Sequence, residues 1–117
     1  MQERRSIPRR YLMFYSRVFN VKTGELVGHI VEITPTGAML ISETPLETDV
    51  NYHLKMELPE ELSAKQFLTF EARSVWCSHD VIPAFYDIGF QLLNVPQSDI
   101  DLIQRLVDDF GFREHNK

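Results

Sequence analysis

The chain is poor in the features that would announce a secreted, membrane-bound or catalytic protein. Its one cysteine, Cys77, leaves no partner for an internal disulfide, so a reducing cytoplasm is the expected compartment. No apolar run approaches the roughly 20 residues of a membrane span. The charged stretch from Gln2 to Arg10 follows Met1 with no apolar segment behind it, which argues against a secretory signal. Four histidines, His29, His53, His79 and His115, share no ligand spacing with one another or with Cys77, so no metal site is expected. A Gly-rich phosphate loop, a Gly-x-Ser-x-Gly elbow and paired catalytic carboxylates are also missing. Asp108 and Asp109 read as a solvated pair, and Cys77 beside Trp76 reads as a small core residue rather than a nucleophile. Trp76 itself reads as core. With no catalytic constellation, the expectation is a protein that is not an enzyme and needs no cofactor.

What remains is ordinary globular material. At 117 residues, with 44% hydrophobic and 25% charged side chains, there is room for one domain around one core. Such a domain buries roughly two thirds of its unfolded surface and needs no metal or disulfide for stability.

Charge is distributed unevenly. Residues 1–17 hold five arginines (Arg4, Arg5, Arg9, Arg10 and Arg17) against Glu3 alone, a net +4, whereas residues 18–117 carry a net −9. An acidic body argues against a DNA- or RNA-binding face, where basic residues would spread over a surface. It leaves room for one compact anion gripped by an arginine arm, because the guanidinium fork matches phosphate bidentately and stacks on flat rings. A solvated basic tail is the plainer alternative.

From Tyr11 onward the pattern is that of short strands: Leu12 to Asn20, Leu26 to Thr34, Ala38 to Ser42, Asn51 to Leu58, Phe67 to Cys77 and Tyr86 to Leu93. Gly24 marks a tight hairpin after the first, and Pro35-Thr36-Gly37 breaks the second from the third. In Asn51 to Leu58 the alternation is clean, with Tyr52, Leu54, Met56 and Leu58 on one face. Near the end Ile100, Ile103, Leu106, Val107 and Phe110 recur at helical spacing. Ser98 with Asp101 suggests a capping box there, and Gly111 a stop. Six strands and an amphipathic helix point to an antiparallel barrel or sandwich with the helix laid against it.

Two short motifs sit at telling places in this frame. Arg5-Ser6-Ile7-Pro8-Arg9 resembles the Arg-x-x-x-Arg motif that opens PilZ domains, just before the first strand. Glu32-Ile33-Thr34-Pro35-Thr36-Gly37 resembles a conservative variant of that family's second motif, Asp/Asn-x-Ser-x-x-Gly, with Glu for Asp and Thr for Ser. Val75-Trp76 and the run Tyr86 to Leu93 are similar to the family's closing strands, and the likeness extends from about Arg4 to Phe110.

The resemblance implies a mainly β fold: a six-stranded antiparallel barrel with a C-terminal helix, about residues 98–111. It divides the chain into a flexible arginine-rich arm, residues 1–11, and a barrel domain, residues 12–117. It implies cyclic di-GMP as ligand, held on the outer surface by Arg5, Arg9, Glu32, Thr34 and Gly37. Arg4 and Arg10 are candidates for further phosphate contacts, against the simpler reading as spare surface charge. Guanine offers O6 and N7 to a guanidinium fork and a flat face to its plane. Glu32 would accept from the guanine N1–H and N2–H edge, Thr34 would supply a hydroxyl, and Gly37 would give either a positive φ or close approach. The arm would become ordered on binding and signal to an unidentified partner protein, the chain acting as monomer or homodimer. The alternative is a PilZ-fold interaction module, pilus- or motility-related, that does not bind the nucleotide.

Overall fold

The computed structural model describes residues 16–110. Among these, six strands and one helix follow in the order β1 (Arg17–Asn20), β2 (Leu26–Ile33), β3 (Gly37–Ser42), β4 (Asn51–Glu57), β5 (Phe67–His79), β6 (Tyr86–Leu93) and α1 (Gln97–Phe110). The strands close into an antiparallel barrel in the order β1-β2-β3-β6-β5-β4, with β4 returning to β1. The pattern of six strands and an amphipathic helix left barrel and sandwich open; the closed barrel is the one the family resemblance implied. Leu12 to Tyr15, the first part of the expected opening strand, lie outside the described residues, as do the arm and Gly111.

Local chemistry accounts for the hairpin between β1 and β2. The Asn20 side-chain oxygen accepts the Lys22 amide at 2.8 Å, and the Gly24 amide donates to the Asn20 carbonyl at 2.8 Å. Gly24 sits at φ 77°, where a side chain would be strained.

Inside the barrel, alternation delivers one aliphatic residue after another. Val18, Ile30, Leu40, Leu54, Met56, Leu68 and Ile88 are essentially inaccessible and form one cluster with Ile103 and Leu106 of α1. Each such side chain contributes roughly 1.5–3 kcal/mol relative to exposure. Leu58 and Leu62, on the connection from β4 to β5, join the same cluster. The helix thus turns its apolar stripe onto the barrel core, which is the packing its periodicity called for.

Its start differs from the expected cap. The Pro96 carbonyl accepts the amides of Asp99 and Ile100, both at 3.0 Å, so the helix opens at Gln97 and Ser98 lies within its first turn. A carbonyl that accepts the first helical bond defines the cap position. The side-chain bond there runs from Gln97 Nε2 to Asp101 Oδ1 at 3.0 Å.

Two strands break their own alternation. In β2 the register against β3 slips between Ile30 and Glu32, leaving Val31 as an extra residue. Ile30 and Ile33 both face the core, while Glu32 is exposed. In β5 the register against β6 slips between Ser74 and Trp76, leaving Val75 extra. A single inserted residue reverses the facing of everything after it. Buried Ser74 anchors the second bulge: its hydroxyl donates to the Glu47 carbonyl at 2.6 Å and accepts the Val50 amide at 3.2 Å.

Candidate functional site

The turn that joins β2 to β3 is closed by one side chain. The Thr34 hydroxyl accepts the amides of Gly37 at 3.1 Å and Thr36 at 3.3 Å, while the Thr34 amide donates to the Gly37 carbonyl at 2.8 Å. The hydroxyl's single proton can reach the Gly37 carbonyl at 3.3 Å or the Thr36 hydroxyl at 3.4 Å. That proton can be given to a ligand instead without breaking the backbone bonds of the turn.

Gly37 eases a close approach rather than supplying a positive φ. Of the described glycines only Gly24 has one. A Cβ on Gly37 would lie 3.2 Å from the Phe90 carbonyl of β6, so the close approach is by the neighbouring strand, which pairs Ala38 with Phe90.

The expectation that Trp76 belongs to the core is overturned. Trp76 is 43% exposed. Unbroken alternation would place it on the side of Phe70, Ala72 and Ser74, all buried, but the extra residue Val75 turns it outward. Its indole lies across Gly89 of β6: a Cβ there would fall 2.2 Å from the indole nitrogen. Gly89 is a bare patch of backbone on which the ring rests. Cys77 then faces inward, half-buried and packed against the core, as expected of a small apolar residue.

The two bulges serve one place. Glu32, Thr34, Gly37, Met39, Val75 and Trp76, with Gly89 as part of its floor, line a cavity of about 240 Å³ on the outer wall. The structure therefore brings together Glu32, Thr34 and Gly37, and adds Trp76, which the sequence reading missed. The signal was the Val75-Trp76 pair late in a strand whose opposing partner, Gly89, carries no side chain. Arg4, Arg5, Arg9 and Arg10 lie outside the described residues.

A second, larger concavity of about 720 Å³ adjoins the first and shares Met39 with it. At one side Arg17 holds Glu57 bidentately, Nε to Oε1 at 3.0 Å and a terminal nitrogen to Oε2 at 2.6 Å. That bond pulls the Glu57 carboxyl below its ordinary range. At the other side Asp87 is pushed up to about 6, by desolvation first and then by its hydrogen bond to, and repulsion from, Asp80. Among the described residues no group of His, Cys, Asp and Glu side chains is placed to hold a metal ion. Nor is any helix there long and apolar enough to cross a membrane.

The sequence model of the PilZ domain family matches residues 3–109. The chain belongs to the PilZ domain family. No curated protein sequence matches it. Among solved structures, this PilZ domain is similar to the inhibitor of motility MotI/DgrA of Bacillus subtilis, with 16% identity and a TM-score of 0.68, over 96% of this chain and 53% of that one. It is similar to MrkH of K. pneumonia in its complex with c-di-GMP, with 22% identity and a TM-score of 0.64, over 93% and 52% of the two chains. The third is YcgR of Escherichia coli in complex with c-di-GMP, with 13% identity and a TM-score of 0.64, over 90% and 45%. At these identities the likeness is one of fold. The chain spans about half the length of each of these three.

Proposed function

We propose that this PilZ domain is a receptor for cyclic di-GMP that acts by binding and not by catalysis. The observation that carries the reading is the single cavity in which two bulges place Glu32 and Trp76 beside the Thr34–Gly37 turn. Family membership and two similar structures that hold c-di-GMP support it.

In this reading one guanine enters the cavity. Its flat face rests on Trp76, its N–H edge meets Glu32, and the Thr34 hydroxyl takes part by turning its proton to the base. Stacking on an aromatic side chain contributes roughly 1–3 kcal/mol per base. The phosphates stay outside, where Arg5 and Arg9 grip them or the second guanine, with Arg4 and Arg10 as further phosphate contacts. Binding draws the arm onto the barrel, and a partner protein reads the rearranged surface. Glu32 is one carbon–carbon bond longer than the Asp of the family motif, about 1.5 Å, so its carboxylate overshoots and affinity is held below what the site allows.

The test is calorimetric titration of the purified protein with cyclic di-GMP, with GTP as control. Saturable heat that Arg5→Ala or Arg9→Ala abolishes is the expected result, with Trp76→Ala weakening binding about tenfold or more. Glu32→Asp is expected to tighten it. Absence of both heat and thermal stabilisation at high ligand concentration would overturn the reading while leaving the fold untouched.

A further inference from the structure

The larger concavity has a composition that a barrel exterior does not need. On an antiparallel barrel the outward positions are ordinarily polar. Here Val31, on the outer side of its bulge, is buried to 6% exposure, and Met39 and Ile41 beside it are half-buried; all three line the groove. Over its edge stands the loop from β5 to β6, with Val81 95% exposed and Ile82 51% exposed. Apolar residues gathered at a concave surface mark an interaction site more often than scattered ones do.

The loop that presents them is held in place. Asp80 Oδ2 accepts the Ile82 amide at 3.0 Å, the Phe85 amide donates to the Ile82 carbonyl at 2.9 Å, and the Asp80 amide donates to the Phe85 carbonyl at 3.0 Å. Val81 is thus offered to solvent from a closed turn, with little ordering left to lose on binding.

Charge decides what suits the groove. Asp80 and Asp87 share its rim, and the charged or titratable side chains lining it from other strands are Arg17, His29 and Glu57. Arg17 is engaged bidentately by Glu57, which leaves His29 as the remaining basic side chain of the lining. Two adjacent carboxylates beside an apolar floor favour a cation with an apolar neighbour. A second copy of this barrel suits it poorly, since residues 18–117 carry a net −9 and like charges oppose their meeting.

We propose that this groove docks a segment of a partner protein presenting an apolar side chain beside a lysine or arginine. The apolar side chain sits on Val31, Met39 and Ile41 under Val81 and Ile82, and the cation lies between Asp80 and Asp87. Because Met39 lines both cavities, an occupant of one bears on the wall of the other. The proposal extends the receptor reading by naming a surface for its partner protein, but it does not need the nucleotide.

The experiment selects a displayed library of random short peptides against the full chain without nucleotide. Enriched peptides are then titrated against the wild type, the double variant Val81→Ser with Ile82→Ser, and Asp87→Asn. Thermal melts check that both variants remain folded. The expected consensus pairs an apolar residue with Lys or Arg. Binding should fall at least about tenfold in the serine double variant and by several-fold in Asp87→Asn. It should strengthen as pH rises from about 5 to about 7.5, since a cation favours the ionised carboxylate.

No enrichment, a consensus without a cation, or equal binding to the serine double variant would overturn the proposal. So would peptides that bind only after Arg4, Arg5, Arg9 and Arg10 are replaced, which would assign the groove to the chain's own arm. Self-association that the serine double variant removes would assign it to a second copy. The cyclic di-GMP titration is expected to be unchanged in the serine double variant, so the two readings fail separately.

Discussion

β4 and β5 are neighbours in one barrel, pair without a slip from Asn51–Arg73 to Glu57–Phe67, and yet obey different rules. β4 alternates to its end, with Leu54 and Met56 wholly inside and His53 outside. β5 alternates through Ser74, then spends one residue on a bulge and turns Trp76 out. The regular strand serves the core. The bulged strand serves the core for most of its length and the surface at its far end. β2 does the same in reverse company, using Val31 to place Glu32 outside and return Ile33 inside. The lesson is that the departures from regularity, not the regular stretches, converge on the candidate site.

That contrast can be sharpened by truncating one residue on each side of it. Leu54→Ala, in the regular strand, should cost about 2–5 kcal/mol by leaving a cavity among side chains that cannot fully relax. Trp76→Ala should change stability by less than about 1 kcal/mol while carrying the loss of ligand affinity. Chemical denaturation reads the first and calorimetry the second. An equal stability loss in both would show that Trp76 is a structural residue after all.

Deleting Val75 is the way to break the contrast. Without the extra residue Trp76 follows Ser74 directly, so regular alternation keeps the indole outward and Cys77 inward, and the pairs Ser74–Phe90 and Trp76–Gly89 survive. Tryptophan emission should therefore stay at its wild-type wavelength. A blue shift, as the indole left water, would mean that the strand had slipped by one residue and turned the ring into the core.

Gly89→Ala tests the bare backbone under the indole. The added methyl occupies the ring's place, 2.2 Å from its nitrogen, so the side chain must swing away. Stability should fall by less than about 1 kcal/mol because the clashing group is an exposed side chain. Ligand affinity should drop along with Trp76→Ala, and unchanged affinity would separate the ring's position from binding.

The smallest effect concerns the acidic rim. Asp87 is raised from 3.8 to about 6 by burial and by Asp80. A raised carboxyl stabilises the fold most below its unfolded value and loses that contribution as pH climbs through about 6. Asp87→Asn should therefore flatten the stability profile between about pH 4 and pH 6 and leave the protein slightly more stable at neutrality. Much of the group is solvated, so screening keeps the gain below about 1 kcal/mol. Melting temperatures across that range check it, and parallel profiles for the two proteins would refute it.

A good part of the molecule was legible beforehand because it rests on short-range patterns. The hairpin at Gly24 follows from an Asn side chain and a glycine a few residues apart. The stripe of Ile103 and Leu106 follows from helical spacing. Thr34 and Gly37 are named as site residues by their resemblance to the family's second motif, and the closed turn they form rests on a hydroxyl and a glycine at a strand break. Gly37 nevertheless turned out to answer to the Phe90 carbonyl of β6, a neighbour that nothing near it in the chain reveals. The start of α1 was missed by one residue because a proline carbonyl, not a serine hydroxyl, receives its first amides.

By itself, then, the sequence determined the strands, the hairpin, the amphipathic helix and the PilZ motifs, since each depends on side chains close together along the chain. Only the tertiary structure decided that Trp76 faces outward and shares a cavity with Glu32 and Thr34. A bulge is a mismatch of register between two strands. It belongs to the pair and not to either sequence, so alternation read along one strand cannot reveal where it will fall.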